Sequence, residues 1–286
     1  MSAVVIAVWG PTGAPGRTSL SIGIATDLAL QGRSVVLADA DTYGGAVAGY
    51  LELFDEVPGF LAFARLAESG KLNHAHRERL VHKFQVGKNS IDVLTGITNP
   101  ARWPELTSSR VRSAVSALSE THDFVILDCG FNLEEDEEIS SDLFAPRRNQ
   151  ATIACLKVSD VIVAVSGPDV VSIARYIHAL DGLQTIVEDA PILHVVNRIV
   201  RSGGLAGAGQ TVRNTLHRFA GLDDVHLVDD DVRGFNAALV SASPIQLSAP
   251  RSPVVKQLHG LAQAIIEARC DGTAVGGQRV TEPAAG

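Results

Sequence analysis

Seven short runs dominated by Val, Ile, Leu and Ala recur along this chain with helix-patterned segments between them, and this alternation restricts the fold more than any single motif. The runs are residues 3–9, 34–38, 91–95, 123–128, 160–166, 192–196 and 225–228. Strands that are apolar on both faces must be covered on both faces, and strands separated by helices pair in parallel. The expected fold class is therefore α/β, a single doubly wound, mostly parallel β-sheet with helices on both faces. Aromatic residues make up only 5% of the chain, so Ala, Val, Leu and Ile must build the core. Residues 1–269 are assigned to one domain. Residues 270–286, rich in Gly, Thr, Ala and Pro without a period, are assigned to a disordered tail.

Charge and cysteine usage narrow the function. A net charge of −8 argues against a sequence-independent grip on nucleic acid or anionic lipid, since both need clustered Lys and Arg. The three cysteines, Cys129, Cys155 and Cys270, are widely spaced and form no CxxC pair, which suggests neither a disulfide framework nor zinc and fits a reducing cytosol. No apolar stretch is long enough to span a bilayer.

The first strand runs into Gly10-Pro-Thr-Gly-Ala-Pro-Gly-Arg-Thr18, and residues 18–31 then carry a helical pattern. A Gly-rich loop between a strand and a helix start can cradle an anion, because the first helical N–H groups lack partners and the helix dipole adds positive potential. Gly13 and Gly16 would supply the backbone freedom, and Thr18 a hydroxyl for Mg²⁺. The match to G-x-x-x-x-G-K-[ST] is incomplete: Pro11 stands where the first glycine belongs, and Arg17 replaces the lysine. Taken alone, the loop reads equally as a nucleotide site or as a Gly/Pro-rich turn.

Two further strands end in acids. Residues 34–38 lead into Asp39-Ala-Asp41, and residues 123–127 into Asp128-Cys-Gly130. Ligands of open parallel sheets bind beyond the carboxyl ends of the strands, where these side chains fall. The alternative for Asp39 and Asp41 is helix capping. His74, His76 and His82 lack an accompanying Cys or acid cluster and read as a solvated face. The run Glu134 to Glu138 reads as a solvated acidic loop.

The ordered set GPTGAPGRTS, DADTYGG, FVILDCG, VVNR and APRSPVVKQLHGLAQAI, spread over residues 1–268, resembles the MinD/ParA family of deviant Walker-A P-loop ATPases, and within it the CpaE/TadZ-like branch of Flp/Tad pilus assembly. The resemblance implies ATP and Mg²⁺ as ligands. Gly13, Ala14, Gly16, Arg17, Thr18 and Ser19 would hold the phosphates, with the Thr18 hydroxyl on Mg²⁺. Asp39 and Asp128 would hold the metal through water, Asp41 would orient the attacking water, and Asn197 would read adenine. It also implies an ATP-linked homodimer in the cytoplasm, recruited to a membrane or pole by protein partners. With two residues before the first strand, no preceding receiver-like domain is expected.

The departures from the family pattern bear on catalysis. Thr12 stands where the signature lysine of such loops belongs, Arg17 replaces the second lysine, and Pro15 removes an N–H. Each lost charge-assisted bond costs roughly 1.5–3 kcal/mol, and a missing transition-state cation about 10³ in rate. The expectation is weak or absent hydrolysis, with Asp41 and Arg17 as the catalytic pair. The alternatives are a pseudo-ATPase scaffold and a ParA-like partitioning protein. Arg198, Arg201, Arg213, His217 and Arg218 would form part of a DNA-binding surface, but DNA binding is disfavoured by the net charge.

Overall fold

A computed structural model of the chain describes residues 3–54, 59–134, 146–200 and 207–275. Strand β1 (Val4–Trp9) leads to α1 (Arg17–Leu30), β2 (Val35–Asp39), the short α2 (Val47–Tyr50), α3 (Gly59–Glu68) and α4 (His74–Leu80). A hairpin follows, β3 (His82–Val86) and β4 (Asn89–Leu94), then α5 (Ser108–Ser119) and β5 (Phe124–Asp128). The second half alternates regularly: α6 (Gln150–Lys157), β6 (Val161–Ser166), α7 (Val170–Val187), β7 (Ile192–Ile199), α8 (Ala208–Ala220) and β8 (His226–Asp229). Helices α9 (Val232–Val240), α10 (Ile245–Ser248) and α11 (Pro253–Val275) close the chain.

The eight strands form one sheet in the order β3-β4-β2-β5-β1-β6-β7-β8, parallel throughout except for β3. The expected architecture is thus the observed one. Its period-2 logic is visible in β1, where Val5, Ala7 and Trp9 enter one apolar cluster and Val4, Ile6 and Val8 the other. The first cluster lies under α3, α5, α6, α7 and α8. The second lies under α1, α10 and α11.

Differences from the sequence expectation are local. Strand β3 lies outside the seven apolar runs, because His82-Lys-Phe-Gln-Val86 alternates polar with apolar residues, as an edge strand can. Strand β7 runs past the expected 192–196 to include Asn197 and Arg198, and Arg198 takes a positive φ of 62° at an irregularity in the pairing with β8. Helix α9 follows the acidic triplet at 229–231 and is capped by Asp231, which accepts from the Gly234 N–H at 2.9 Å. Helix α11 runs to Val275, past residue 269, and the remaining eleven residues of the expected tail lie outside the described residues.

The sheet order positions the site. Because β5 inserts between β2 and β1, the carboxyl ends of three neighbouring strands deliver the Gly-rich loop, Asp39 and Asp128 to one place, with Asp39 and Asp128 opposite each other in register.

Candidate nucleotide site

The loop between β1 and α1 is held in a conformation that glycine alone adopts easily. Gly13 and Gly16 have φ of 88° and 81°, and Gly16 is the N-cap of α1. A β-carbon on Gly16 would fall on the Asn197 side-chain amide. That amide donates to the Pro15 carbonyl at 3.0 Å, and its oxygen accepts from the Arg198 N–H at 2.9 Å. Asn197 is 2% exposed, so it lies beneath the loop and positions it. The Ala14 N–H closes a turn onto the Pro11 carbonyl at 2.9 Å. The N–H groups of Gly13, Gly16, Arg17, Thr18 and Ser19 find no acceptor among the described residues. This is the anion-seeking arrangement of a helix start.

Below the loop the carboxylates are buried. Asp128 accepts from the Thr18 hydroxyl at 2.7 Å and from the Ser21 hydroxyl at 2.9 Å. Asp39 accepts from the N–H groups of Asp41 and Val47, both at 3.1 Å, and Gly45 and Gly96 leave no room beside it. Asp41 accepts from the N–H groups of Tyr43 at 2.8 Å and Gly44 at 3.2 Å, with its other oxygen 3.7 Å from Arg17 Nη2. Capping and a place at the site are therefore compatible here: both acids hold the chain that follows them, while Asp41 also faces Arg17 and Asp39 lies opposite Asp128.

The electrostatics follow from this crowding. Burial, then the neighbouring charges of Asp128 and Asp41, push the Asp39 carboxyl well above the usual range. Burial pushes Asp128 up to about 6, against the lowering effect of the Thr18 and Ser21 hydrogen bonds and the Arg17 charge. Buried acids in this state favour a cation or protons nearby. Among the described residues no three His, Cys, Asp or Glu side chains converge to ligate a metal. Free backbone donors above and a cation-seeking acid layer below fit Mg²⁺ and a polyphosphate.

Arg17 turns inward. Its Nη1 lies 3.4 Å from the carbonyls of Gly10 and Ala14, and Nη2 faces Asp41. Ser19 stays on the loop side of α1, with its hydroxyl 3.3 Å from the Tyr50 hydroxyl. Sequence reasoning passed over Ser21, although a hydroxyl three residues after Thr18 shares its helix face. It also passed over Arg148, which donates to Thr42 Oγ1 at 2.9 Å and to the Thr42 carbonyl at 3.0 Å. The Arg148 guanidinium stacks 3.7 Å over the Tyr43 ring and so braces the segment after Asp41. The histidines near residue 76 sit on an outer helix, where His74 pairs with Glu78 at 3.5 Å. Of the acidic run, only Glu134 is among the described residues.

No protein-family model matches the chain, and no curated protein matches its sequence. Solved structures do match. A ParA family ATPase from Chlorobium tepidum TLS superposes with a TM-score of 0.73 at 15% identity, over 92% of this chain and 99% of that one. The septum site-determining protein MinD from Pyrococcus horikoshii OT3, complexed with Mg-ADP, gives 0.65 at 16% over 98% and 100%. The MinC:MinD cell division protein complex of Aquifex aeolicus gives 0.61 at 17% over 99% of each chain. The chain has the fold of the MinD and ParA ATPases. In this chain the β1–α1 loop and the ends of β2 and β5 form the candidate site described above. Among the described residues no helix is long and apolar enough to cross a membrane.

Proposed function

We propose that the chain binds ATP with Mg²⁺ at the β1–α1 loop and acts as a MinD/ParA-like, nucleotide-dependent dimeric switch with weak or absent hydrolysis. The supporting observation is that the loop's free N–H groups adjoin Thr18, which bonds Asp128, and Arg17, which faces Asp41, with Asp39 opposite Asp128 in register. The Gly13, Gly16, Arg17, Thr18 and Ser19 N–H groups would bind phosphate oxygens, and the Thr18 hydroxyl would exchange Asp128 for the metal. Asp39 and Asp128 would hold the metal's water, and Asp41 would orient the attacking one. Bound Mg·ATP supplies the cleavable phosphoanhydride and the countercharge for the acids. Asn197 acts by holding Pro15, and contact with adenine would require its amide to turn.

Slow turnover follows from Thr12, Pro15 and Arg17. A guanidinium engaged with Asp41 and two loop carbonyls must leave these partners before it can serve a phosphate. The same inward turn favours a second reading, a pseudo-ATPase scaffold working through protein contacts. The motif order supports a CpaE/TadZ-like role, positioning a pilus, secretion or division apparatus from the cytoplasm through protein partners. A partitioning role on DNA is weaker, because His217 is paired with Asp223 at 2.8 Å within the basic patch.

The test is light scattering with Mg²⁺ and a non-hydrolysable ATP analogue, alongside phosphate release from ATP. A switch doubles its mass with the analogue and reverts with ADP. A mass that ignores nucleotide supports the scaffold reading.

A further inference from the structure

We propose that Arg175 is the outer cation of this site, reaching from α7 across Gly13 to the terminal phosphate of a nucleotide in the same subunit. The inference rests on the nucleotide reading above and extends it to a residue outside the loop.

Strand β6 lies beside β1, so the start of α7 comes up against the loop. Asp169 caps that start, accepting from the N–H groups of Val171 at 3.1 Å and Ser172 at 3.0 Å. Ser172 and Arg175, three apart, share one helix face. Ser172 Oγ lies 3.5 Å from the Gly13 carbonyl, and Arg175 Nη1 donates to the Thr12 carbonyl at 3.4 Å. A β-carbon at residue 13 would stand 2.8 Å from Arg175 Nη1, so the absent side chain is what admits the guanidinium against the loop.

Arg175 differs in its electrostatic state from the arginines that are tied into ion pairs. Arg17, Arg77, Arg102 and Arg110 each face a carboxylate. Arg175 pairs with none among the described residues, and a single long hydrogen bond occupies one of its five donors. It borders a cavity of about 530 Å³ together with Trp9, Thr12, Phe131 and one acid, Glu134. An exposed, forked cation with no carboxylate partner among the described residues, beside free backbone donors, is complementary to a phosphate. It also sits on Thr12, the position where the resemblance implies a lysine, so the charge missing from the loop is present on the neighbouring helix.

The experiment titrates the full chain with Mg·ATP and with Mg·ADP by calorimetry for wild type, Arg175→Ala and Arg175→Lys, with nucleotide-free melting curves for all three. A terminal-phosphate contact predicts that Arg175→Ala weakens ATP about tenfold or more while ADP changes by less than about twofold. Arg175→Lys should recover most of the ATP affinity, and all three melting temperatures should agree within about 2 °C. Equal losses for ATP and ADP, or a lowered nucleotide-free melting temperature, would mark Arg175 as a structural tie and overturn the proposal. So would unchanged ATP affinity in a protein whose binding Thr18→Ala abolishes, and that result leaves the nucleotide reading standing. If wild type binds neither nucleotide, the reading itself has failed.

Discussion

Replacing Asp128 by Asn should stabilise the protein while destroying Mg²⁺-dependent nucleotide binding. Asp128 is 1% exposed and its pKa is pushed up to about 6, chiefly by burial. The unfolded value is near 4, so holding the charge at neutral pH costs about 2 pH units, or about 3 kcal/mol at 1.36 kcal/mol per unit. Asn keeps the shape, and the Thr18 and Ser21 hydroxyls can rotate to serve an amide. Some hydrogen-bond strength is lost with the charge, leaving a net gain of about 1–3 kcal/mol and a melting temperature higher by about 2–6 °C near pH 7.5. The pH dependence is specific. A carboxyl whose folded pKa is raised destabilises the fold above that pKa. Wild type therefore gains stability from Asp128 as pH falls through about 6, and the advantage of Asn closes by about pH 4. Melting curves of both proteins across this range test it. An Asn variant that melts at or below wild type at neutral pH, or a difference that ignores pH, would refute the reasoning.

Other outcomes follow from the same packing and hydrogen bonds. Gly16→Ala must place an alanine at φ 81° against Asn197 and should cost about 1–2 kcal/mol from the backbone alone, read by urea unfolding; a neutral result would mean that the loop is not held as described. Leu258, fully buried on Gly23 of α1, should cost about 2–5 kcal/mol as Leu258→Ala, and a loss under about 1 kcal/mol would contradict the tight α1–α11 contact. His194 lies 2.6 Å from the Tyr176 hydroxyl, and burial pushes its pKa down to about 4. Its NMR titration should fall near that value, with stability declining as pH drops from about 6.5 towards 4 because the folded ring resists the proton. A midpoint near 6.5 would show that the ring is solvated.

The parts of this protein visible in its sequence are those where one physical requirement dominates. Strands β1, β2, β5 and β6 are buried on both faces and read as continuous apolar runs, and acids end β2 and β5 at the carboxyl edge of the sheet. Strand β3 lies at the sheet edge, so its residues answer to solvent as well as to the core and the pattern is mixed. Residue type announced that Thr18, Asp39, Asp41 and Asp128 belong together, but not that Thr18 and Ser21 both bond Asp128 or that Arg17 turns to Asp41. Arg175 was illegible for a different reason. Its position over Gly13 depends on β6 lying next to β1, a long-range fact that no local pattern of α7 contains.

The central claim is that the β1–α1 loop is a working nucleotide site. A calorimetric titration of the purified chain with Mg·ATP, with Thr18→Ala as the control, tests it most directly. The account predicts saturable binding that requires Mg²⁺ and is abolished by the control. No binding at about 1 mM nucleotide, or binding that the Thr18 variant retains, would contradict it.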